Sequence, residues 1–594
     1  MPQRFTDNSV SLLLAAAMCC LPFILPEHQL PIQSFQAEAL AFALGVAAAT
    51  ATQIGARNTL TAFSGPAIWL LAFAALLTGS AVFGAPAYAQ LPLAGAMYVA
   101  YAALLLWLGA QLAVRFGVER IATVLSVAIL AGALANAMAG VIQFSGRPAA
   151  LEDVVAAMRG NRAYGNVAQA NLYVNYLSLG CASLAYLWFR GLLRSSYALA
   201  AALLLAGAIA LASTRGALLY ALWLAALGMV ATLIRSDFEA RRLKIAACIL
   251  ACLIIAANLA VPQLSNLLHI GPASRGAFER LLTSAPEFAE PRWHIWPLAA
   301  RAFAAEPLFG TGIGEFAGIA FEDGLPPTVT LHGEIWTSAH NLPLQLLAET
   351  GALGAALVLA GLGTWWWRAA TRYATAPQPA LWWVIAIAGI ESIHAMLEFP
   401  WWSAHFLGLT ALVMGAGLDS RPATNIARHA TRFALAGISV ALALWLATGI
   451  RDYTRLASTR ISGTSNALAA STDDIATLQA LALGPLAPVA ELWMILGASL
   501  DNTGLHEKLD RSARVARFWP SNEVIARRVV FLALAGNALE ARRLLEQALQ
   551  SFPLRRDQTV QILSRAVAVD AAAIRPLLDL AARAAPNHND ATAR

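Results

Sequence analysis

The sequence predicts an all-α fold: a polytopic bundle of about thirteen membrane helices, a large extracytoplasmic loop and a C-terminal helical domain outside the membrane. Three observations predict it. Of 594 residues, 59% are hydrophobic and only 12% charged, against roughly a quarter charged in an ordinary soluble chain. Apolar runs recur along most of the chain, each close to the roughly 20 residues that a bilayer crossing needs. Lys and Arg also fall on alternate loops, the signature of cytoplasmic loops in membrane proteins.

The first apolar run, at 10–27, has the character of a signal peptide, but further spans follow it with no A-x-A-like processing site, so it reads as the first membrane helix. Spans follow near 37–56, 63–84, 93–113, 121–143, 171–189, 195–213, 216–234 and 245–261. The last four lie near 341–367, 379–398, 403–419 and 433–450. With Arg4 in the cytoplasm, the inner loops hold Arg57; Arg115 and Arg120; Arg190 and Arg194; Arg235, Arg241, Arg242 and Lys244; Arg368 and Arg372; and Arg421, Arg428 and Arg432. The short outer loops at 28–36, 85–92 and 399–402 hold no Lys or Arg. Arg215, in a tight outer turn, and Arg147, Arg159 and Arg162, in a longer outer loop, break the rule. Exceptions to an orientation rule are functional candidates. The net charge of +6 needs no nucleic-acid partner, because cytoplasmic-loop bias accounts for it.

The chain therefore divides into membrane helices at 1–261, a large outer loop at 262–340, further membrane helices at 341–450 and an outer helical tail at 451–594. Apolar residues recur at helical spacing over 513–519, 521–534, 538–551 and 557–569, separated by Trp519-Pro520-Ser521, Gly536-Asn537 and Phe552-Pro553. Short helix pairs punctuated this way suggest a tetratricopeptide-like hairpin array, or an irregular helical bundle. The tail's simplest role is a stabilising cap; the alternative is a binding surface for a protein acceptor. All five cysteines lie in apolar runs, so no disulfide framework or metal-spaced cluster is expected.

Three residues carry the candidate chemistry. Arg215, in Ser213-Thr214-Arg215-Gly216, lies at a membrane boundary, where a guanidinium must pair with an anion or reach water. It suits snorkelling to a headgroup as well as a fork onto phosphate oxygens. Arg292 follows Pro291, an arrangement that suits the first turn of a helix, whose amide end favours anions, as well as a solvated loop charge. His340, in Ser338-Ala339-His340-Asn341, stands where a polar loop meets a renewed apolar helix. It suits a plain interfacial histidine as well as catalysis, since an imidazole takes up a proton near neutral pH without a large shift. Two arginines could neutralise a diphosphate leaving group while the histidine activates an attacking hydroxyl. No Asp-rich or His-rich constellation and no Walker-type glycine loop accompanies them, which disfavours metal- or ATP-driven chemistry; no cofactor is expected.

Residues 205–420 resemble the O-antigen ligase/polymerase superfamily. The matching segments are Ser213–Gly216, Arg292–Trp296, the Pro307-Leu308-Phe309-Gly310-Thr311-Gly312-Ile313-Gly314 run, Ser338–Asn341 and Leu346-Leu347-Ala348-Glu349-Thr350-Gly351. Further segments resemble the protein O-oligosaccharyltransferases of the PglL type: Gly165-Asn166-Val167-Ala168-Gln169-Ala170-Asn171, His394-Ala395-Met396-Leu397-Glu398-Phe399-Pro400, and the helical tail. The chain departs from that branch at Ala170, where proline is expected, and at Trp401, where leucine is expected. The resemblance implies an undecaprenyl-diphosphate-linked oligosaccharide as donor and a metal-independent, inverting transfer at the periplasmic face of a bacterial inner membrane. It assigns the donor diphosphate to Arg215 and Arg292 and catalysis to His340. Gln169, Asn171, His394 and Glu398 become candidate donor or acceptor contacts, with a buried His394–Glu398 pair one turn apart as the plainer alternative. The implied acceptor is Ser or Thr of a periplasmic or pilin-like protein, with lipid A-core or a growing glycan as the nearest alternatives. Two further readings are a lipid or anion transporter, for which no half-to-half similarity is visible, and an assembly scaffold working through the tail.

Overall fold

The computed structural model describes residues 9–28, 31–55, 60–235, 237–273, 276–282, 292–324, 336–420, 422–459 and 472–584. Arg4, Arg57, Pro291 and Arg421 lie outside the described residues. The helices in order are α1 (Ser9–Met18), α2 (Phe35–Gly55), α3 (Gly65–Phe83), α4 (Gln90–Phe116), α5 (Val118–Gly146), α6 (Ala170–Phe189), α7 (Ser195–Leu211), α8 (Gly216–Ile234), α9 (Phe238–Leu267) and α10 (Ala277–Leu282). Then come α11 (Arg292–Ala305), α12 (Phe316–Glu322), α13 (Leu342–Thr375), α14 (Pro379–Ala395), α15 (Ala404–Ala416) and α16 (Asn425–Ser458). The tail adds α17 (Thr472–Leu481), α18 (Ala487–Gly497), α19 (Leu505–Phe518), α20 (Asn522–Leu534), α21 (Ala538–Ser551), α22 (Arg556–Ala566) and α23 (Ala571–Arg583). The fold is all-helical, as the sequence predicts; an isolated bridge between Thr61 and Pro422 is the only β pairing among the described residues.

Nine helices among the described residues are long and apolar enough to cross a membrane. The other four expected spans coincide with shorter apolar helices, α1, α7, α14 and α15. The first shortens for a local reason. Pro22 lies inside the apolar run, and α1 gives way at Met18 to a single tight turn over Leu21–Phe23, because proline offers no amide to continue the ladder.

The chain forms two compact units. The first comprises Met1–Ala74, Met97–Ser284 and Leu357–Leu446. Its centre is α6 and α14, each buried along most of its length and on all sides. A helix apolar all round belongs inside a bundle. Three of its buried tryptophans hydrogen-bond as well as pack: Trp107 Nε1 donates to Thr61 O at 3.1 Å, Trp365 Nε1 to Met414 O at 2.8 Å and Trp383 Nε1 to Ser183 Oγ at 3.1 Å. At the other extreme, the 425–446 part of α16 exposes Phe433, Val440 and Leu444, apolar surface of the kind that lipid covers.

The second unit comprises Ala75–Ala96, Ala285–Ala356 and Ala447–Arg594. In its tail, neighbouring helices pack in pairs from α17 to α21, α22 pairs with α23, and α20 also packs on α18, α22 and α23. Contacts mainly to the nearest and next-nearest helix are those of stacked hairpins, and the α20–α23 contact closes the last of them into a small bundle. Their shared core runs through Ile495, Val515, Val529, Phe531, Leu545 and Leu563.

Candidate active site

In the first unit the site grows from three buried amides. Asn136 and Gln143 lie on α5 and Asn166 on the loop that follows it; all three are buried. Gln143 Oε1 accepts from the amides of Tyr164 and Gly165, and its Nε2 donates to Ala156 O at 2.8 Å. Asn136 Oδ1 accepts from the Asn166 amide at 3.0 Å. The Asn166 side chain donates to Ile24 O and Val154 O and accepts from the Ala156 amide. A buried amide satisfied on every side fixes the chain that it touches, so this loop is held as firmly as a helix.

The loop carries Arg162 to the α7–α8 turn. Ser213 there has φ 51°, a left-handed backbone that a residue with a Cβ adopts only when its surroundings impose it. Arg162 Nε donates to Ala212 O at 2.9 Å, and the Ala163 amide to Leu211 O. Arg280 Nη1 reaches Ser213 O at 3.4 Å. Arg215 follows at the exposed start of α8. Burial and the positive charge of Arg280, with a smaller push from Arg215, lower the Arg162 guanidinium to about 10 against the pull of the Glu398 carboxylate. Three guanidiniums and one carboxylate thus share a neighbourhood, a net positive cradle of the kind that binds polyvalent anions.

The remaining predicted contacts of this unit divide by role. Gln169 caps α6, its side chain accepting from the Leu172 amide at 2.9 Å, which is a structural job. Ala170 occupies the first position of that helix, a place where proline is also favoured. Asn171 is a bridge: its Nδ2 donates to Glu398 Oε1 at 2.6 Å and its Oδ1 accepts from Arg162 Nη2 at 3.3 Å. His394 Nδ1 hydrogen-bonds the Tyr220 hydroxyl. The His394 and Glu398 side chains therefore reach to α8 and α6 respectively. Arg162 stood out in the sequence only as a charge-rule exception, and Arg280 not at all.

In the second unit, α11 begins at Arg292. Ile295, Leu298, Ala299 and Ala302 of this helix pack against Phe316 and Ala320 of α12 and against Ala339 and Ala348. His340 lies beside that core and is itself half-buried. The chain around it is pinned: Trp296 Nε1 donates to Ala339 O at 3.2 Å, the Ala339 amide to Gln345 Oε1 at 2.6 Å, and the His340 amide to Ser338 Oγ at 3.3 Å. Asn341 caps α13, accepting from the Leu344 amide at 3.1 Å. His340 has φ 47°, and its ring meets Trp336 edge-on with centroids 4.7 Å apart. A strained histidine held by its neighbours is aimed in advance.

Two of the glycine-bearing segments interlock in the same unit. At Gly351 α13 is interrupted, with φ 63° and ψ −169°, a conformation essentially confined to glycine. The break frees carbonyls and amides that the 307–312 loop takes up. The Thr311 amide donates to Ala348 O at 2.9 Å and the Gly312 amide to Glu349 O at 3.0 Å. In the other direction the Ala352 amide donates to Pro307 O at 2.8 Å and the Leu353 amide to Leu308 O at 3.3 Å. The buried Glu349 carboxylate accepts from the Gly314 amide at 2.9 Å.

Residues 200–359 match the family described as O-antigen ligase. Residues 382–566 match the family described as virulence factor membrane-bound polymerase, C-terminal. No curated protein matches the chain.

Proposed function

The chain belongs to the O-antigen ligase/polymerase superfamily, a multi-pass membrane protein of glycosyl-transferring type, and from that premise we propose that it moves an oligosaccharide from undecaprenyl diphosphate to Ser or Thr hydroxyls of periplasmic or pilin-like proteins. The inner membrane, with the N-terminus in the cytoplasm and the loop and tail in the periplasm, is the location that the loop charges support. The observation that carries the reading is the gathering of Arg162 and Arg280 with Arg215 around one strained turn. A diphosphate leaving group carries several negative charges, and fixed guanidiniums stabilise the charge that develops as it departs.

The step is a single displacement. The acceptor oxygen attacks the anomeric carbon while the bond from that carbon to the diphosphate oxygen breaks, with inversion. The hydroxyl proton passes to the His340 imidazole, and undecaprenyl diphosphate leaves with the electron pair. Arg215 and Arg292 take the donor diphosphate, with Arg162 and Arg280 added to Arg215. Asn171 and Glu398 orient Arg162, and His394 is held by Tyr220 as a donor or acceptor contact. Gln169 acts by shaping the start of α6. The reaction needs no metal in this reading.

The test is reconstitution of the purified protein with an undecaprenyl-diphosphate glycan, a pilin-like protein and lipid A-core together, read by intact mass spectrometry beside His340→Ala. Sugar on the protein, lost in the variant, supports the proposal. Sugar on lipid A-core alone makes the chain a ligase, and a longer lipid-linked glycan makes it a polymerase. Turnover that survives His340→Ala removes the assigned catalyst.

A further inference from the structure

In the second unit, α12 is a short helix with two occupied faces. Phe316, Ile319 and Ala320 face the core shared with the Arg292 helix and Ala339. Gly318 and Phe321 face the C-terminal tail. A Cβ built on Gly318 would lie 2.6 Å from Arg517 O and 2.9 Å from Arg517 Cα, so α19 touches the bare backbone there. Phe321 stacks on Phe552 with ring centroids 6.0 Å apart and shares a buried cluster with Ile525, Ala548 and Phe552. Gln547 Nε2 donates to Phe321 O at 2.7 Å. Glu315, just before α12, is buried and accepts from Arg517 Nε at 2.8 Å and from the Ala87 amide at 3.0 Å.

These contacts differ in weight. Arg517 is about half exposed while Glu315 is buried, so solvent screens the pair in part and its net contribution is modest. The backbone approach at Gly318 and the buried Phe321–Phe552 stack carry the attachment, since close packing there leaves no room for adjustment. On its other side α12 supports two things at once: the helix that begins with Arg292, and the segment leading into His340, which Trp296 of that helix also holds through Ala339 O. Seven residues thus connect the tail to both groups.

We propose that the C-terminal helices are a positioning element of the transfer site, with Gly318, Phe552 and Gln547 acting through α12 on Arg292 and His340. The inference rests on the transfer reading above and adds a role for the tail distinct from capturing an acceptor. Lifting the tail off α12 shifts the Arg292 helix and the His340 segment, and a misplacement of about 1 Å costs on the order of a hundredfold in rate.

The experiment uses the full chain in lipid nanodiscs, with an undecaprenyl-diphosphate glycan and a short serine peptide too small to span the tail. Gly318→Leu and Phe552→Asp are expected to lower kcat about tenfold or more while the KM for the peptide stays within about twofold. Gly318→Ala should fall between Gly318→Leu and wild type, and Phe552→Leu should stay near wild type. Gln547→Ala is the gentle variant, should the others fold poorly. Hydrogen exchange provides a readout independent of turnover: in the variants, amides of 292–305 and 336–341 should exchange faster, while those of α6 should not. Unchanged kcat together with unchanged exchange at those segments would overturn the proposal. So would a rise only in the KM of a whole protein acceptor, which would make the tail an acceptor-binding surface. A wild-type protein that transfers nothing refutes the transfer reading instead, and exchange still decides whether the tail holds α12.

Discussion

Gly351→Ala perturbs the fold at one atom, and its cost can be built from the surroundings. The position has φ 63° and ψ −169°, where a residue with a Cβ carries a penalty of about 1–3 kcal/mol. The new methyl would lie 2.4 Å from Leu308 C and O and 2.6 Å from Phe309 N, so the loop must retreat. Retreat breaks at least the Ala352-to-Pro307 and Leu353-to-Leu308 hydrogen bonds, each worth about 1 kcal/mol. Together these give about 3–5 kcal/mol, enough to lower the melting temperature in detergent by several degrees. Gly363→Ala, on the same helix with nothing within 4 Å of the added methyl, is the control. It should be neutral or stabilising by up to about 1 kcal/mol, because alanine is the better helix former. Both are read by thermal unfolding of the purified protein. If Gly351→Ala melts with wild type and Gly363→Ala, the interlock between the 307–312 loop and α13 carries no stability and the reasoning fails.

Arg162→Gln should weaken undecaprenyl diphosphate binding roughly tenfold or more, the worth of one charged hydrogen bond, measured by direct titration. In the wild type that affinity should fall as pH rises through about 10, as the guanidinium discharges, and the variant should lack this limb. The empty protein has the opposite sign. Its lowered value means that the unfolded chain binds the proton more tightly, so stability from this group rises as pH climbs past about 10. Glu398→Gln removes the acid beside the three guanidiniums and should strengthen inorganic pyrophosphate binding severalfold by calorimetry; weaker binding would show that Glu398 orders Arg162 more than it offsets it. In the tail, the Lys508 ammonium leads several hydrogen bonds that lower Asp501 to about 2 from 3.8. The stability it adds is present above 3.8 and lost as pH falls through about 2, under about 1 kcal/mol because the Asp501 carboxylate is solvent-screened. Asp501→Asn should abolish that acid-side loss in hydrogen exchange of α19.

The membrane helices were readable because lipid tolerates few departures from an apolar run, and the tail because Gly536-Asn537 and Phe552-Pro553 punctuate amphipathic helices. Helix ends were less readable. The run at 10–27 looks continuous in hydropathy, yet Pro22 closes the helix early. Arg215, Arg292 and His340 stood out through charge, punctuation and resemblance. Arg280 did not, because an arginine in a polar loop is ordinary until its neighbours are known. The amides Asn136 and Gln143 carry a signal in the sequence: both fall within an expected span, where polar side chains are costly and accordingly have a task. That task is to hold the Arg162 loop. The two-faced packing of α12 has no sequence signature, since it depends on Gly318 meeting a chain about two hundred residues further on.

The interlock at Gly351 has a consequence for anyone building chimeras between this chain and its relatives. The 307–314 run and the 345–353 run exchange backbone hydrogen bonds in both directions, so their registers are set jointly rather than separately. A graft that imports one without the other, or inserts a single residue in either, would leave carbonyls at the helix break facing the wrong amides. The two runs form a single cassette despite their separation along the chain, and swaps meant to change acceptor preference should carry them together.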